Sequence, residues 1–240
     1  MRAIIREWGP TVALSLAFVL AMRTFAYAGY HVPSESMLPT LKVGDQFYAA
    51  KFAYGYSRFS GPVVLPFGAG RMPDLLPARG DVVVLRLPGR EEDLVKRVIG
   101  LPGDRVRVTG GRLVLNGTVV ERAEVARYAY REHGGGTAEV VEYVERLPGG
   151  AEHRILERTD NGPADETPEY LVPEGHVFVM GDNRDNSTDS RFLRQIGYIP
   201  VERLLGRADL IGFAWQDCVA ADGMVCPGGG WGDRLLARVR

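Results

Sequence analysis

The sequence predicts a mostly β protein: an antiparallel β-sheet core with a smaller inserted β domain, preceded by one N-terminal transmembrane helix. Thirty glycines and 15 prolines among the 240 residues indicate many turns. Short apolar runs recur between those turn residues, as they do in β-strands. A longer apolar segment lies near the N-terminus, and elsewhere only the last stretch, Asp233–Val239, shows helical periodicity.

The N-terminal segment is predicted to be a membrane anchor from Trp8 to Tyr30. Its uninterrupted apolar part, Thr11–Met22, is short for a span of about 20 residues. The longer segment is sufficient if Arg23 snorkels to the interface, where an aromatic belt would be formed by Phe25, Tyr27 and Tyr30. Arg2 and Arg6 precede the span, and this charge bias predicts a cytoplasmic N-terminus with the body outside.

An alternative interpretation of the same segment is a cleavable secretory signal. Ala26-Tyr27-Ala28, followed by Gly29, has the small-x-small pattern of a cleavage site. A retained anchor is favoured because Arg23 interrupts the apolar segment. Under either interpretation, the body of the chain lies outside the cytoplasm.

The segment Val32–Leu41, directly after the anchor, places two serines in a rigid frame. Pro33 and Pro39 bracket Ser34 and Ser36, and proline restricts both its own backbone and that of the preceding residue. A nucleophile needs such a fixed approach to its substrate. An ordinary loop whose serines cap a short helical turn would show the same pattern.

Lysine is rare in this chain. Lysine and arginine total 29, yet the only lysines are Lys42, Lys51 and Lys96. Arginine stays protonated in proteins, whereas a buried lysine can lose its proton. Lys96 lies among apolar residues of a predicted strand, where burial would lower its pKa from about 10.4 by up to several units. The alternative is a lysine that snorkels at a strand edge.

The β-strands are predicted from short apolar runs that lie between turn residues. The core strands are predicted at Gln46–Lys51, Asp81–Leu87, Asp93–Ile99, His176–Met180 and Leu210–Trp215. The inserted domain is predicted to contain two hairpins and a short strand: Arg105–Thr109 with Arg112–Leu115, Val140–Glu145 with His153–Arg158, and Thr118–Glu121. Tyr54–Ala78 is predicted to be an exposed loop near the membrane.

These elements divide the chain into five predicted parts. They are the cytoplasmic N-terminus 1–7, the anchor 8–30, the first part of the catalytic core 31–104, the inserted β domain 105–175, and the second part of the core with the C-terminal tail 176–240. Cys218 and Cys226 lie eight residues apart in a Gly-rich tail and suggest a disulfide, while the lack of nearby histidines makes a metal site unexpected there.

The segment Gly181–Arg191, which we call the polar box, has no apolar side chain although it follows a strongly apolar strand. A tight turn would account for four or five of these eleven residues. The others suggest a hydrogen-bonded segment that positions a reactive group. A Ser36–His176–Asp182 triad is conceivable, but it would leave Lys96 without a role. The chain contains no HExxH, GxSxG, SxxK or phosphate-loop signature.

Four segments in order behind an anchor resemble the sequence boxes of bacterial type I signal peptidases. They are SESMLPTL (34–41), RGDVVVL (79–85), KRVIGLPGD (96–104) and the polar box. Each motif alone is a weak signal, but the ordered set is specific. Together with the anchor, the boxes cover under half of the chain, and residues 105–175 match the family only by their position between boxes.

The resemblance implies a role for each matching residue. Ser36 corresponds to the nucleophile and Lys96 to the general base. Such a serine–lysine dyad is a known variant of the Ser-His-Asp triad, and it needs no histidine. Ser34 corresponds to the oxyanion-hole side chain, together with the backbone N–H of Ser36. Glu35, where some members have glycine, is expected to face water.

Other positions correspond to supporting and substrate-binding residues of the family. Ser187 corresponds to the serine that hydrogen-bonds and orients the lysine, and Asp189 and Arg191 to the ion pair that supports that serine. Positions near the substrate pockets are matched by Tyr30, Val32 and Val95. The substrate would dock as an extended strand with small side chains one and three residues before the cut.

The function implied is a membrane-anchored serine endopeptidase that cleaves N-terminal signal peptides from exported preproteins after a small-x-small motif. No metal or organic cofactor is expected. The expected partners are preprotein signal peptides and the lipid bilayer, and the net charge of −1 gives no indication of nucleic-acid binding. The expected location is the cytoplasmic (inner) membrane, crossed once, with the catalytic domain outside.

Two other classes of function are weighed against this one. A self-cleaving Ser/Lys autoprotease such as a repressor would carry a DNA-binding domain rather than an anchor. A catalytically inactive, membrane-tethered β domain that binds exported proteins would not need every dyad and supporting residue, yet all are present: Ser36, Lys96, Ser187, Asp189 and Arg191.

Overall fold

The computed structural model describes residues 2–61, 68–90, 92–214 and 224–239. A long N-terminal helix precedes a body built almost entirely of antiparallel strands, which confirms the predicted mostly β fold. The helices are α1 (Arg2–Ala21), continued by a π-helical turn (Met22–Ala26), and α2 (Trp231–Arg234).

Strands are numbered in chain order. They are β1 (Tyr27–His31), β2 (Asp45–Ala50), β3 (Tyr56–Ser57), β4 (Arg71–Met72), β5 (Val82–Arg86), β6 (Asp93–Gly100), β7 (Arg105–Thr109), β8 (Arg112–Leu115), β9 (Thr118–Val119), β10 (Glu121–Arg131), β11 (Thr137–Arg146), β12 (Glu152–Glu157), β13 (Tyr170–Leu171), β14 (His176–Met180), β15 (Ile199–Pro200) and β16 (Leu204–Ala214). Single 3₁₀ turns cover Lys51–Tyr54, Arg184–Asn186 and Val201–Arg203.

A seven-stranded antiparallel sheet in the order β1-β2-β16-β5-β6-β14-β15 forms the main body. Both of its faces are covered, which explains the continuous apolar run of β5. Val82 and Val84 pack into the core cluster that contains Phe47, whereas Val83 and Leu85 pack into the cluster on the other face. The predicted strands that became β2, β5, β6 and β14 are present with bounds shifted by at most one residue.

Residues 105–175 form two smaller sheets, ordered β13-β7-β8-β9 and β10-β11-β12. Gly110 and Gly111 have positive φ angles of 51° and 68°, as the predicted tight turn between β7 and β8 requires. The predicted hairpin of β11 and β12 is present. Sequence analysis missed most of β10, because this largely exposed strand lacks a clean apolar alternation. The division of the chain into core and inserted domain stays a prediction.

The end of the predicted anchor differs from the structure. The helical segment ends at Ala26, and Tyr27–His31 forms β1, which pairs residue by residue with β2. Tyr30 therefore does not belong to an interfacial belt, since its ring stacks on Phe47 at 5.7 Å between centroids. The helix Glu7–Ala26 has the length and the apolar composition that can cross a membrane.

The C-terminal stretch also differs from its prediction. Helix α2 ends at Arg234, and the chain then pairs with β16 through hydrogen bonds from Ile211 N–H to Ala237 O and from Val239 N–H to Asp209 O. Leu236 has a φ of 56°, which breaks a helix at this point. Strand β16 begins earlier than expected, at Leu204, and the predicted terminal residue Trp215 lies outside the described residues.

Candidate active site

The centre of the site is a contact between strand β6 and the segment Val32–Leu41, which we call the serine loop. Lys96 Nζ lies 2.7 Å from Ser36 Oγ and 3.0 Å from the carbonyl oxygen of Val95. Lys96 is only 4% exposed, whereas Ser36 is half-buried and open to an approaching ligand. The structure thus brings together the serine and the lysine that the sequence singled out.

The amine of Lys96 is held in a low-dielectric environment. Burial lowers the pKa of Lys96 from 10.5 to about 8, against the opposing effect of the Asp189 and Asp182 carboxylates and with help from the Arg191 guanidinium. A substantial fraction of this lysine is therefore uncharged near pH 8. An uncharged amine within hydrogen-bond distance of a hydroxyl can accept its proton.

The polar box holds the serine loop in place through Asn183 and Asn186. Asn183 donates its backbone N–H to Ser36 O (3.1 Å) and its amide to Glu35 O (3.1 Å). The Asn186 amide donates to the Glu35 carboxylate at 3.2 Å, and the His133 N–H donates to the other carboxylate oxygen at 2.8 Å. The expectation that Glu35 simply faces water is therefore wrong, because its carboxylate joins the loop to two other segments.

Gly181 permits this close approach at the start of the polar box. A Cβ at Gly181 would lie 2.5 Å from both the Ser36 carbonyl oxygen and the Ser187 Cβ. Real Cβ atoms do not come so close to backbone atoms, so any side chain here would push the loop away from β14. The glycine is required by packing rather than by an unusual φ angle.

A buried ion pair connects β6, the polar box and the serine loop. Arg97 donates to the two carboxylate oxygens of Asp182 at 2.8 and 2.7 Å, and both side chains are at most 2% exposed. Thr40, at the end of the serine loop, donates to Asp182 Oδ2 at 2.5 Å. A bidentate pair that is also bonded by a neighbour satisfies most of the carboxylate's acceptor sites. The pair thus connects the residue next to Lys96 to the end of the serine loop.

The predicted supporting pair is assembled beside the lysine. Arg191 donates to both Asp189 oxygens, at 2.8 and 2.9 Å, and Gly181 N–H adds a third bond at 3.0 Å. Burial alone would raise the pKa of Asp189, but the Arg191 guanidinium outweighs it and holds that pKa below its usual value. Ser187 is buried, and its hydroxyl acts on Asp189 by helping to lower that pKa, while the expected bond from Ser187 to Lys96 is not formed in this structure.

Ser34 and the predicted pocket residues lie on the open side of Ser36. Ser34 is exposed, and its Oγ lies 3.4 Å from Ser36 Oγ. A small cavity of about 50 Å³ reaches Ser36, and its lining includes Tyr30, Val32 and Val95. The structure therefore places all three predicted pocket residues at one cavity next to the serine. Its size suits a side chain of one or two carbon atoms.

Sequence analysis did not predict the contacts that join the serine loop to the C-terminal segment. Arg234 forms a buried ion pair with Asp45 and donates to Thr40 O at 3.0 Å, and Lys42 Nζ donates to Gly229 O at 2.7 Å. The scarcity of lysine drew attention to Lys42, but no local signal marks Arg234 as its neighbour. Arg97 was visible only as a member of a matched box.

The sequence also suggests an alternative triad and a disulfide. His176 Nδ1 lies 2.9 Å from Glu174 O, while Arg97 and Thr40 bond to the Asp182 carboxylate, so the alternative triad is not assembled. Cys226 has no free thiol, but Cys218 lies outside the described residues. The disulfide between them stays a prediction.

Comparison with known proteins places the chain in a family. A family model described as signal peptidase, peptidase S26, matches residues 5–213. The chain belongs to this family. The membership confirms the predicted relationship and makes the chain a serine endopeptidase.

Individual relatives have the same description. A signal peptidase I from Pseudomonas aeruginosa is 37% identical over 224 residues, which cover 88% of this chain and 73% of the relative. A signal peptidase I from Rickettsia conorii is 32% identical over 222 residues, which cover 88% of this chain and 82% of the relative. A crystal structure of a signal peptidase I from Enterococcus faecalis aligns with 55% of this chain and 96% of its own, at 24% identity and a TM-score of 0.33.

The buried pair of Arg97 and Asp182 should dominate the stability of this peptidase site. Asp182→Leu leaves the guanidinium buried without its carboxylate, so we expect the free energy of unfolding to fall by about 3–5 kcal/mol. Arg97→Met combined with Asp182→Leu should cost clearly less, because neither charge of this pair is then left buried without the other. Denaturant unfolding followed by tryptophan fluorescence measures both.

The matched control for this pair is Glu124→Gln, which breaks an exposed ion pair with Arg127 and should leave the unfolding midpoint nearly unchanged. The interpretation is wrong if the double variant is as unstable as Asp182→Leu alone.

Lys96 should reduce stability at neutral pH. Its folded pKa of about 8 is below the unfolded value of 10.5, so protonation favours the unfolded chain and the penalty disappears as pH rises from about 8 to 10.5. At about 1.36 kcal/mol per pKa unit, we expect Lys96→Met to be more stable than wild type by about 3 kcal/mol at pH 7, with little advantage at pH 10.5. Measuring the free energy of unfolding at several pH values tests this expectation.

The control is Ser36→Ala, which keeps the lysine and should retain the wild-type pH dependence. If the stability advantage of Lys96→Met does not change with pH, the lowered pKa of Lys96 is not the cause.

Proposed function

We propose that this chain cleaves N-terminal signal peptides from exported preproteins, with Ser36 as nucleophile and Lys96 as general base. The observation that supports it most directly is the 2.7 Å contact between Ser36 Oγ and a buried amine. The family model and the relatives named signal peptidase I support the substrate class. Membership of a peptidase family favours this function over an inactive binding domain.

In the proposed first step, Ser36 Oγ attacks the scissile carbonyl carbon while the uncharged Lys96 amine takes the hydroxyl proton. Lys96, now an ammonium, then donates that proton to the departing amine as the acyl-enzyme forms. In the second step Lys96 activates a water that hydrolyses the ester. Docked substrate covers the open side of Ser36 and excludes water, which favours the uncharged amine further.

The negative charge of the tetrahedral intermediate is assigned to two donors, the Ser34 hydroxyl and the Ser36 backbone N–H. Ser34 Oγ lies 3.4 Å from Ser36 Oγ, on the exposed side where a carbonyl oxygen would lie. One preset donor of this kind typically contributes about 3–4 kcal/mol to the transition state.

In this proposal, the Lys96 amine is oriented by residues of the polar box. Asp189 and Arg191 stabilise the polar box beside the amine, and the resemblance assigns Ser187 to orient it. Ser187 packs against Gly181, close to the Ser36 carbonyl oxygen. In this structure its hydroxyl acts on Asp189, whose pKa it helps to lower, so serving Lys96 requires that hydroxyl to turn.

The preference for small side chains is proposed to come from the cavity at Ser36. A volume of about 50 Å³ admits a methyl or ethyl group but excludes an aromatic or long side chain. Val32 and Val95 contribute branched side chains to its wall. A substrate docked as an extended strand presents alternate side chains on one side, which agrees with a small-x-small motif.

The enzyme is proposed to work at the outer surface of the cytoplasmic membrane, held by its N-terminal helix. Phe52 contacts Tyr27 and Tyr56 contacts Phe25, both as edge-to-face ring pairs, so the end of the helix is fixed to the body. Large apolar side chains are exposed in the same region: Phe52, Met72, Leu75 and Leu76. An apolar surface continuous with an anchor suits a position on lipid, where signal peptides emerge.

Cleavage of a preprotein should depend on both members of the dyad. We expect Ser36→Ala and Lys96→Ala each to lower kcat/KM by at least about 10³-fold. Wild-type kcat/KM should rise with pH through about 8, because only the uncharged Lys96 is a base. Gel assays of preprotein processing from pH 6 to 10 measure these values.

The control for this assay is Lys51→Met. Lys51 is also buried with a pKa lowered to about 8, chiefly by burial, yet it has no contact with Ser36. This variant should keep both the activity and the pH profile of wild type. Wild-type cleavage by either dyad variant would refute the mechanism.

The pocket should decide which side chain is accepted before the cut. Val95→Ala removes two methyl groups from the wall, so we expect the ratio of kcat/KM for a valine substrate over an alanine substrate to rise about 10–100-fold. Matched preproteins that differ only at the two small positions measure the ratio. Val119→Ala, an exposed valine in β9, should leave it unchanged, and unchanged selectivity in Val95→Ala would remove the pocket assignment.

A further inference from the structure

Three carboxylates that the proposed mechanism does not use converge behind the polar box. Glu157 ends β12, Asp165 lies in the following loop, and Asp185 lies in the 3₁₀ turn of the box. One oxygen from each lies within 4.8 Å of the other two. Glu157 and Asp165 are only 3% and 2% exposed, so water does not screen them effectively.

Two oxygens of this acid cluster (Glu157, Asp165 and Asp185) have no partner. Asp185 Oδ2 accepts the N–H groups of Arg158 and Thr159, and Asp165 Oδ2 accepts that of Gly162. Glu157 Oε2 and Asp165 Oδ1 are buried without any hydrogen bond among the described residues. Buried carboxylate oxygens without donors are costly, so the cluster needs either a bound cation or a bound proton to neutralise it.

The neighbouring arginines compensate the charge of this cluster only in part. Arg122 approaches the other oxygen of Glu157, at 3.4 Å, and also binds Gly111 O and Asp160. Arg184 makes a bidentate pair with Glu145 through both of its terminal nitrogens. Both cations act on Glu157 but are shared with other groups, and neither donates a hydrogen bond to Glu157 Oε2 or Asp165 Oδ1, while Arg184 Nε is buried without a hydrogen bond of its own among the described residues.

We propose that Glu157, Asp165 and Asp185 bind a calcium ion. The donor set contains only oxygen, which suits a hard cation and does not suit zinc, which prefers histidine and cysteine. Calcium–oxygen distances are about 2.3–2.6 Å, so two ligands on opposite sides of the ion lie about 4.8 Å apart. The three oxygens lie within 4.8 Å of one another, close enough to bind one ion, and a set of three protein carboxylates suits calcium better than magnesium, which usually keeps several waters and only one or two carboxylates.

The ion would fix the loop after β12 to the polar box. Asp185 is flanked by Asn186, which holds the Glu35 carboxylate, and follows Asn183, which holds Ser36. The ion therefore stabilises the frame of the serine loop without entering the chemistry. This inference concerns binding and does not depend on the proposed cleavage reaction. Sequence analysis expected no metal, since the implied cleavage reaction needs none, and it did not single out these three acids, which are far apart in the chain and share no motif.

Calorimetry and thermal unfolding of the full chain test the site. Protein purified in detergent and stripped with a chelator should bind one Ca²⁺ per chain from CaCl₂. At calcium 100-fold above Kd, the midpoint of unfolding should rise by about 5–10 °C. MgCl₂ should give a smaller rise at equal concentration, and an equal rise would overturn the assignment to calcium.

Variants make the test specific. Asp165→Asn and Glu157→Gln should abolish calcium binding, and their calcium-free midpoints should equal or exceed that of wild type because carboxylate repulsion is relieved. Glu166→Gln, a neighbouring exposed acid that bonds Thr109 outside the cluster, should keep the full response. The proposal is overturned if calorimetry detects no heat of calcium binding to wild type and the midpoint of unfolding does not shift. That result would indicate that a shared proton neutralises the cluster. A wild-type response in Asp165→Asn would also overturn it.

Discussion

Burial of the Lys96 amine beside Ser36 is the constraint on which the rest of the site depends. A lysine serves as a base, as the proposed mechanism requires, only when it is uncharged, and burial is the main cause that lowers the pKa of Lys96, with help from Arg191 and against the Asp189 and Asp182 carboxylates. The structure therefore has to bury an amine close to Asp182 and Asp189 without letting either pair with it. It does so by giving each carboxylate its own arginine, Arg97 and Arg191.

This arrangement explains why so polar a segment follows the apolar strand β14. The box is an interior part of the protein, in which Asp182, Asn183 and Asp189 are at most 1% exposed. Its charges are compensated in pairs, and its amides bond the backbone of the serine loop. An apolar core could hold the loop in place, but it could not fix the direction of the Ser36 carbonyl and hydroxyl, because dispersion contacts have little directionality.

Sequence analysis was accurate where the signal was local. The strands β5, β6 and β14 follow from apolar runs, and the turn at Gly110-Gly111 follows from its residue types. Ser36 and Lys96 were identified through their sequence boxes and through the scarcity of lysine. The anchor extended too far because Tyr27–His31 is apolar enough for a membrane span, while the pairing with β2 that decides its structure is a tertiary contact. The short helix α2 ends early for a similar reason, since the residues after it pair with β16.

The sequence by itself determined the mostly β class and the family, and it singled out the serine and the lysine that the structure brings into contact. Each of these rests on residue types and spacings, which the chain carries directly. The tertiary structure decided that Arg97, Thr40 and Asp182 meet, that Glu35 turns inward, and that Glu157, Asp165 and Asp185 form one cluster. These groups lie on segments far apart in the chain, and only the packing of the sheets brings their charges within a few ångströms, where burial sets their energies.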